Sequence, residues 1–179
     1  MLTDCHGSLT GIDAAVKTLS GKGSYILVLH LPQDSAFTVG KLGHYALPAG
    51  FYAYVGSALG PGGLRGRLGY HLRPVRRPRW HLDYLRRDAM ATAVWWSAAG
   101  TRREHVWAAW LRQLPGAGVV VPRFGASDCT CVSHLFHYLE PPSFTLFRAW
   151  AVEGFPDEAV QALALEDQRP GLTQIVIPA

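Results

Sequence analysis

Gly50-Phe51-Tyr52-Ala53-Tyr54-Val55-Gly56-Ser57-Ala58-Leu59-Gly60-Pro61-Gly62-Gly63-Leu64-Arg65-Gly66-Arg67 is the stretch on which the reading of this chain turns. Its first seven residues are aromatic, β-branched or small and follow the Pro48-Ala49 turn, so they read as a strand. Side chains alternate across a strand, which puts Tyr52 and Tyr54 on one face and Phe51, Ala53 and Val55 on the other. Gly60-Pro61-Gly62-Gly63 is a tight loop, and a helix is expected from about Leu64 to Leu72. Within it Arg67 and His71 are four apart and share a face. Pro74 and Pro78 end that helix and stiffen a basic connector.

Working outward, Tyr25 to Leu31 is an unbroken apolar run stopped by Pro32, the pattern of a buried strand. Ala36 to Val39 reads as another, closing at Gly40-Lys41-Leu42-Gly43. Downstream, Trp80 to Asp88 contains a short helix, Thr92 to Ser97 is β-prone, and Arg102 to Leu114 is an aromatic-rich amphipathic helix. After Pro141-Pro142 the chain offers one helical candidate, Asp157 to Leu165, and a strand-like piece, Thr173 to Ile177. The expectation is an α/β (α+β) domain, a small, mainly antiparallel sheet flanked by helices, over residues 23–140. Residues 1–22 form an N-terminal extension and 141–179 an acidic C-terminal one.

The length of 179 residues suits a single domain with trimmings, and 49% hydrophobic residues suffice for a real core. The formal charge is only +4, but it is unevenly spread. Leu64 to Arg87 holds eight arginines against one acid, Asp83, whereas Glu153 to Asp167 holds five acids and no Lys or Arg. So dense a basic stretch suits a polyanion, because neutralised phosphates release condensed counterions. Arg65, Arg73, Arg76, Arg77 and Arg79 are the candidate polyanion contacts; a merely solvated, arginine-biased surface is the plainer alternative. There is no secretory-signal pattern and no apolar run of membrane-spanning length, so a cytoplasmic protein with no membrane partner is expected. Cys5, Cys129 and Cys131 are too few and too unevenly placed for a disulfide framework.

Phosphodiester hydrolysis needs an activated water, charge stabilisation at phosphorus, and help for the departing oxyanion. Gly23-Ser24-Tyr25 and Tyr54-Val55-Gly56, followed by Arg67 and His71, resemble the GIY-YIG nuclease superfamily. Within it the chain is most similar to the compact subfamily sometimes fused to endonuclease III-like repair glycosylases. The resemblance covers residues 23–138. It implies the GIY-YIG endonuclease-like fold and a catalytic set of Tyr25, Tyr54, Arg67 and His71. In that set the second tyrosine activates or positions the water and the first supports it. Arg67 takes the superfamily's arginine position if Leu59 to Gly63 is an insertion. Glu104 would anchor the metal, Mg²⁺ or Mn²⁺, while His81 and Asp83 would orient the nucleophile or assist the metal. The chain departs from the pattern at Ser24, where the namesake motif has Ile and a tolerated packing change is expected. The spacer between the tyrosines is long, which an inserted hairpin or loop around Phe37 to Leu47 would accommodate. His105-Val106 also stands where subfamily relatives show Cys and a second Glu.

Each residue has a plainer reading as well. Strand tyrosines are commonly just packed, a phenol near pKa 10 is a poor base, and Glu104 at a helix start would answer the helix dipole. Cys129-Thr130-Cys131 with His134 has structural-zinc spacing, wanting His137 or Asp128 as a fourth ligand. The reading preferred from sequence is a tight Gly/Ser/Asp turn with small buried thiols. Together these features imply a divalent-metal-dependent DNA endonuclease acting in repair or on damaged, branched or single-stranded DNA. The alternative is a non-catalytic nucleic-acid-binding module of the same fold, and a third reading has the acidic tail masking the arginine face.

Overall fold

The computed structural model describes residues 16–39, 43–75 and 77–165. Strand β1 (Gly23–Leu31) is the centre of a five-stranded antiparallel sheet. A separate hairpin of β2 (Ser35–Val39) and β3 (Gly43–Leu47) follows. The chain returns to the sheet as β4 (Gly50–Ala58), then forms helices α1 (Gly63–His71) and α2 (His81–Leu85). Next come β5 (Met90–Ser97), α3 (Glu104–Gln113), β6 (Leu135–Tyr138), α4 (Phe144–Gly154) and β7 (Gln161–Ala164). The strand order is β6-β4-β1-β5-β7 and every pairing is antiparallel. The fold is therefore α+β, a small antiparallel sheet flanked by helices. No helix among the described residues is long and apolar enough to cross a membrane.

Alternation along the two central strands builds two cores. Tyr25, Leu27, Leu29, Tyr52 and Tyr54 face α1 and α2, where Leu64, Leu68, Leu82 and Leu85 are buried against them. Ile26, Val28, Ala53 and Val55 face α3 and α4, meeting Trp107, Leu111 and Phe147. Each large apolar side chain so buried contributes about 1.5–3 kcal/mol. Both faces are covered, which explains why β1 reads as a continuous apolar run.

The long spacer between the tyrosines is accounted for by the β2–β3 hairpin. The C-terminal part differs from expectation. Residues 157–165 are not a helix; Gln161–Ala164 pairs with β5 and extends the sheet, because β5 otherwise presents unpaired backbone groups at an edge. A helix that sequence reasoning passed over, α4, begins where the Ser143 hydroxyl accepts the Leu146 N–H and buries Phe147 and Ala151. On the N-terminal side Val16 and Leu19 belong to the core. Residues 16–22 and 141–165 thus complete the same body. Arg76 and the strand-like piece at 173–177 lie outside the described residues.

Candidate functional site

In the β1–β4 register Tyr25 stands opposite Gly56, and Leu27 opposite Tyr54. A Cβ on Gly56 would lie 2.6 Å from the Tyr25 phenolic oxygen. The glycine of the second signature is therefore the space into which the tyrosine of the first one fits. The two phenol rings sit 6.4 Å apart, and Arg67 donates from Nε to the Tyr25 oxygen at 3.4 Å. Arg67 is placed by the start of α1. Gly63 has φ of 54° and presses so close to Gly21 that a Cβ would meet its carbonyl oxygen at 2.3 Å. The guanidinium also lies 3.9 Å over the Trp80 ring, held from one side by a phenol and from another by an indole.

Glu104, the first residue of α3, reaches this neighbourhood from the opposite core. Its helix is pinned to β1 by Ser24, whose buried hydroxyl accepts the Arg103 N–H at 2.8 Å. Ser24 is thus more than a tolerated packing change. Glu104 accepts from Arg102 Nη1 at 2.8 Å and lies 3.4 Å from His105 Nε2; both contacts fall on Oε1. A cleft of about 420 Å³ is lined by Tyr54, Arg67, Glu104, His81, Arg79 and Arg102, with Trp80, Asp128 and His134 beside them.

Tyr25 and His71 do not line the cleft; they form the layer beneath it. The His71 ring packs between Tyr25, Tyr54 and Tyr70, with both nitrogens buried and lacking a hydrogen-bond partner among the described residues. Burial first, then the Arg67 and Arg86 cations, push its pKa down to about 3, so the ring is neutral. Burial also raises both tyrosines: Tyr54 is pushed up to about 12 although Arg67 pulls it down, and Tyr25 lies further above the ordinary value. Both phenols are protonated donors at neutral pH.

The remaining candidates divide. Asp83 is fully buried and accepts from the Tyr70 hydroxyl at 2.7 Å, from the Arg79 and Trp80 N–H groups at 2.7 and 3.0 Å, and from Arg86 at 3.2 Å. Burial opposes its ionisation, but these donors win and hold its pKa below the ordinary carboxylate value. Its acceptors are occupied and it does not line the cleft, so its part is to pin α2 and the basic connector. His81 does line the cleft; its Nδ1 accepts the Gly125 N–H at 3.3 Å, which leaves the ring proton on Nε2. Arg65, Arg73, Arg77 and Arg79 are exposed, and Arg79 lines the cleft.

Cys129, Cys131 and His134 do converge, and His105 joins them: one ligand atom from each lies within 4.8 Å of all the others. These four residues could hold a metal ion. The fourth member is neither His137, whose Nε2 lies 3.0 Å from the Ala49 carbonyl oxygen, nor Asp128, which is not among the converging residues. Sequence reasoning missed His105 as a ligand, and Arg102 and Trp80 as cleft residues. Arg102 stands two residues from Glu104 and Trp80 within the basic connector, so both were visible as neighbours of residues already singled out.

Residues 24–152 match the family described as Domain of unknown function DUF123. No curated protein and no solved structure matches the chain.

Proposed function

We propose that this chain, which belongs to the family Domain of unknown function DUF123, is a divalent-metal-dependent DNA endonuclease of the GIY-YIG type. The observation that carries the reading is the convergence of Tyr54, Arg67 and Glu104, from three separate elements, on one cleft with Tyr25 bonded to Arg67 directly behind. Three guanidiniums, from Arg67, Arg79 and Arg102, meet two carboxylates there, Glu104 and Asp128. That balance favours an anionic ligand such as phosphate.

The donor chemistry also fits Mg²⁺ or Mn²⁺. Neither contact to Glu104 uses Oε2, and Asp128 lines the same cleft, an oxygen set of the kind these cations take together with substrate phosphate. Glu104 would hold the cation, which when bound would stabilise negative charge at the phosphoryl and leaving oxygens. Arg67, kept charged and aimed by Tyr25 and Trp80, donates to a phosphate oxygen. Tyr54, with a pKa near 12, orients the attacking water through its hydroxyl and is a poor proton acceptor at neutral pH. His81 presents a donor, since its proton sits on Nε2.

The exposed arginines before and after Pro74 extend a cationic surface from the cleft for DNA phosphates. Trp80, 45% exposed at the rim, offers an aromatic face to an unpaired base. A structure-directed target, damaged, branched or single-stranded, suits this surface better than a long recognition sequence. The test is a panel of labelled single-stranded, duplex, nicked and branched DNAs with Mg²⁺ or Mn²⁺. The parent should cut, leaving 5′-phosphate and 3′-hydroxyl ends, and Glu104→Ala and Arg67→Ala should not. If both variants cut like the parent, the chemistry lies elsewhere. The engagement of Glu104 by Arg102 and His105 favours a second reading, a non-catalytic nucleic-acid-binding module. Salt-dependent DNA binding without cleavage under every metal and substrate would select it.

A further inference from the structure

From Pro115 to His134 the chain forms no helix or strand beyond an isolated bridge between Gly118 and His137. So long a segment inside a compact domain needs a device to organise it. Its far end carries Cys129, Cys131 and His134, and these meet His105 from the first turn of α3. Cys129 Sγ lies 3.4 Å from His134 Nε2, and Cys131 Sγ lies 3.4 Å from His105 Nδ1. Zinc bonds of about 2.3 Å to sulfur and about 2.05 Å to nitrogen in a tetrahedron put such S···N edges at roughly 3.5 Å. Two independent edges already have that length. Both cysteines are free, and a set of two thiols and two imidazoles is the donor class that selects zinc over Mg²⁺ or Ca²⁺.

The orientation of His105 adds a second element. Its Nδ1 faces the cysteine, while its Nε2 lies 3.4 Å from Glu104 Oε1. Metal-bound histidines characteristically donate their other ring N–H to a carboxylate, which fixes tautomer and orientation. We propose that His105, Cys129, Cys131 and His134 form a structural zinc site that ties the 115–134 segment to α3, and that His105 bridges it to Glu104. On binding, the two thiols lose their protons to solvent and the imidazoles stay neutral. Occupancy of this site does not depend on the reaction proposed above, since no residue of the cleft chemistry is a zinc ligand.

Metal content tests the site on the full chain, loaded with zinc and then dialysed against metal-free buffer. About one zinc per chain is expected in the parent and less than about a tenth in the Cys129→Ser/Cys131→Ser double variant. His105→Ala should weaken zinc binding by more than the roughly 10–100-fold that losing a ligand's outer partner costs, whereas His105→Cys, which supplies a thiolate, should retain it. Substitution with Co²⁺ should give tetrahedral visible bands and thiolate charge-transfer absorption. Parent protein without zinc after loading, full retention of zinc in the double variant, or iron in its place overturns the proposal. Ring ¹⁵N NMR of the zinc-loaded parent tests the bridge. His105 should be metal-bound through Nδ1 with its proton on Nε2; binding through Nε2, or a free ring, overturns it. These readouts need no cleavage, so failure of the endonuclease reading would leave them intact.

Discussion

Two buried carboxylates, Asp83 and Glu104, lie in the neighbourhood of Arg67 and differ in what surrounds them. Asp83 is enclosed by four donors, two of them backbone N–H groups, and is closed off from the cleft. Among the described residues Glu104 meets only side chains, on a single oxygen, and opens into the cleft. An acid with donors on both oxygens and no opening to the cleft has little to offer a ligand, and its energy goes into holding the chain. An acid bonded on one side is still available for chemistry. Residue type alone, an acid beside arginines, does not separate these roles; donor count does.

The comparison predicts opposite phenotypes. Glu104→Gln should lower cleavage at least about 100-fold, the scale of losing one transition-state contact. Its folding stability should stay within about 1 kcal/mol of the parent, read by denaturant unfolding. Asp83→Asn should do the reverse, costing about 3–5 kcal/mol because the Arg86 charge is left buried without its counter-ion. Any activity loss there should track the unfolded fraction. An Asp83→Asn protein as stable as the parent but inactive would erase the distinction.

Trp80 touches both regions, through its backbone N–H to Asp83 and its ring over Arg67. Trp80→Ala keeps the first contact and removes the second. It should leave unfolding nearly unchanged while weakening single-stranded DNA binding by about 1–3 kcal/mol, measured by fluorescence anisotropy. A loss of stability without a loss of affinity would assign the ring to the Asp83 side.

How far each region could be read from sequence follows the same division. The strands at Tyr25–Leu31 and Gly50–Gly56 and the helix carrying Arg67 were legible because their signals are local: apolar runs, alternation and Gly/Pro punctuation. The match of Tyr25 to Gly56 was not, since register is decided by pairing across the sheet. Glu104 was reached by resemblance alone, and Asp83 was placed beside it as a helper because its four donors come from folding. His105 escaped for the same reason: its sulfur partner Cys131 is 26 residues downstream, and no periodicity connects them. The Gln161–Ala164 strand went unread because Gln-Ala-Leu-Ala favours helix locally, and the open edge of β5 overrides that preference.

The smallest effect at neutral pH, and the sharpest in acid, belongs to His71, which lies between the two regions. Burial among three tyrosine rings disfavours its cation most, Arg67 and Arg86 disfavour it further, and Asp83 favours it. Its folded pKa of about 3 lies below the ordinary 6.5, so the unfolded chain binds more protons between those values. Stability is then complete above pH 6.5 and falls as pH drops toward 3, by about 4 kcal/mol for this group. Asp83, whose pKa is depressed from 3.8, adds its own loss only below that value. His81 and His134, whose pKa values burial also lowers, and Glu158, lowered by Arg103, add losses between pH 6.5 and 4, so the His71 share is the difference between parent and variant. His71→Phe removes both unpartnered nitrogens at nearly constant shape, so at pH 7 its stability should lie within about 1 kcal/mol of the parent. Urea midpoints measured down to pH 4 should fall more steeply in the parent than in the variant, which keeps His81, His134 and Glu158. Parallel slopes would mean that His71 has a partner in solution, and that the layer between the two carboxylates is wetter than its packing indicates.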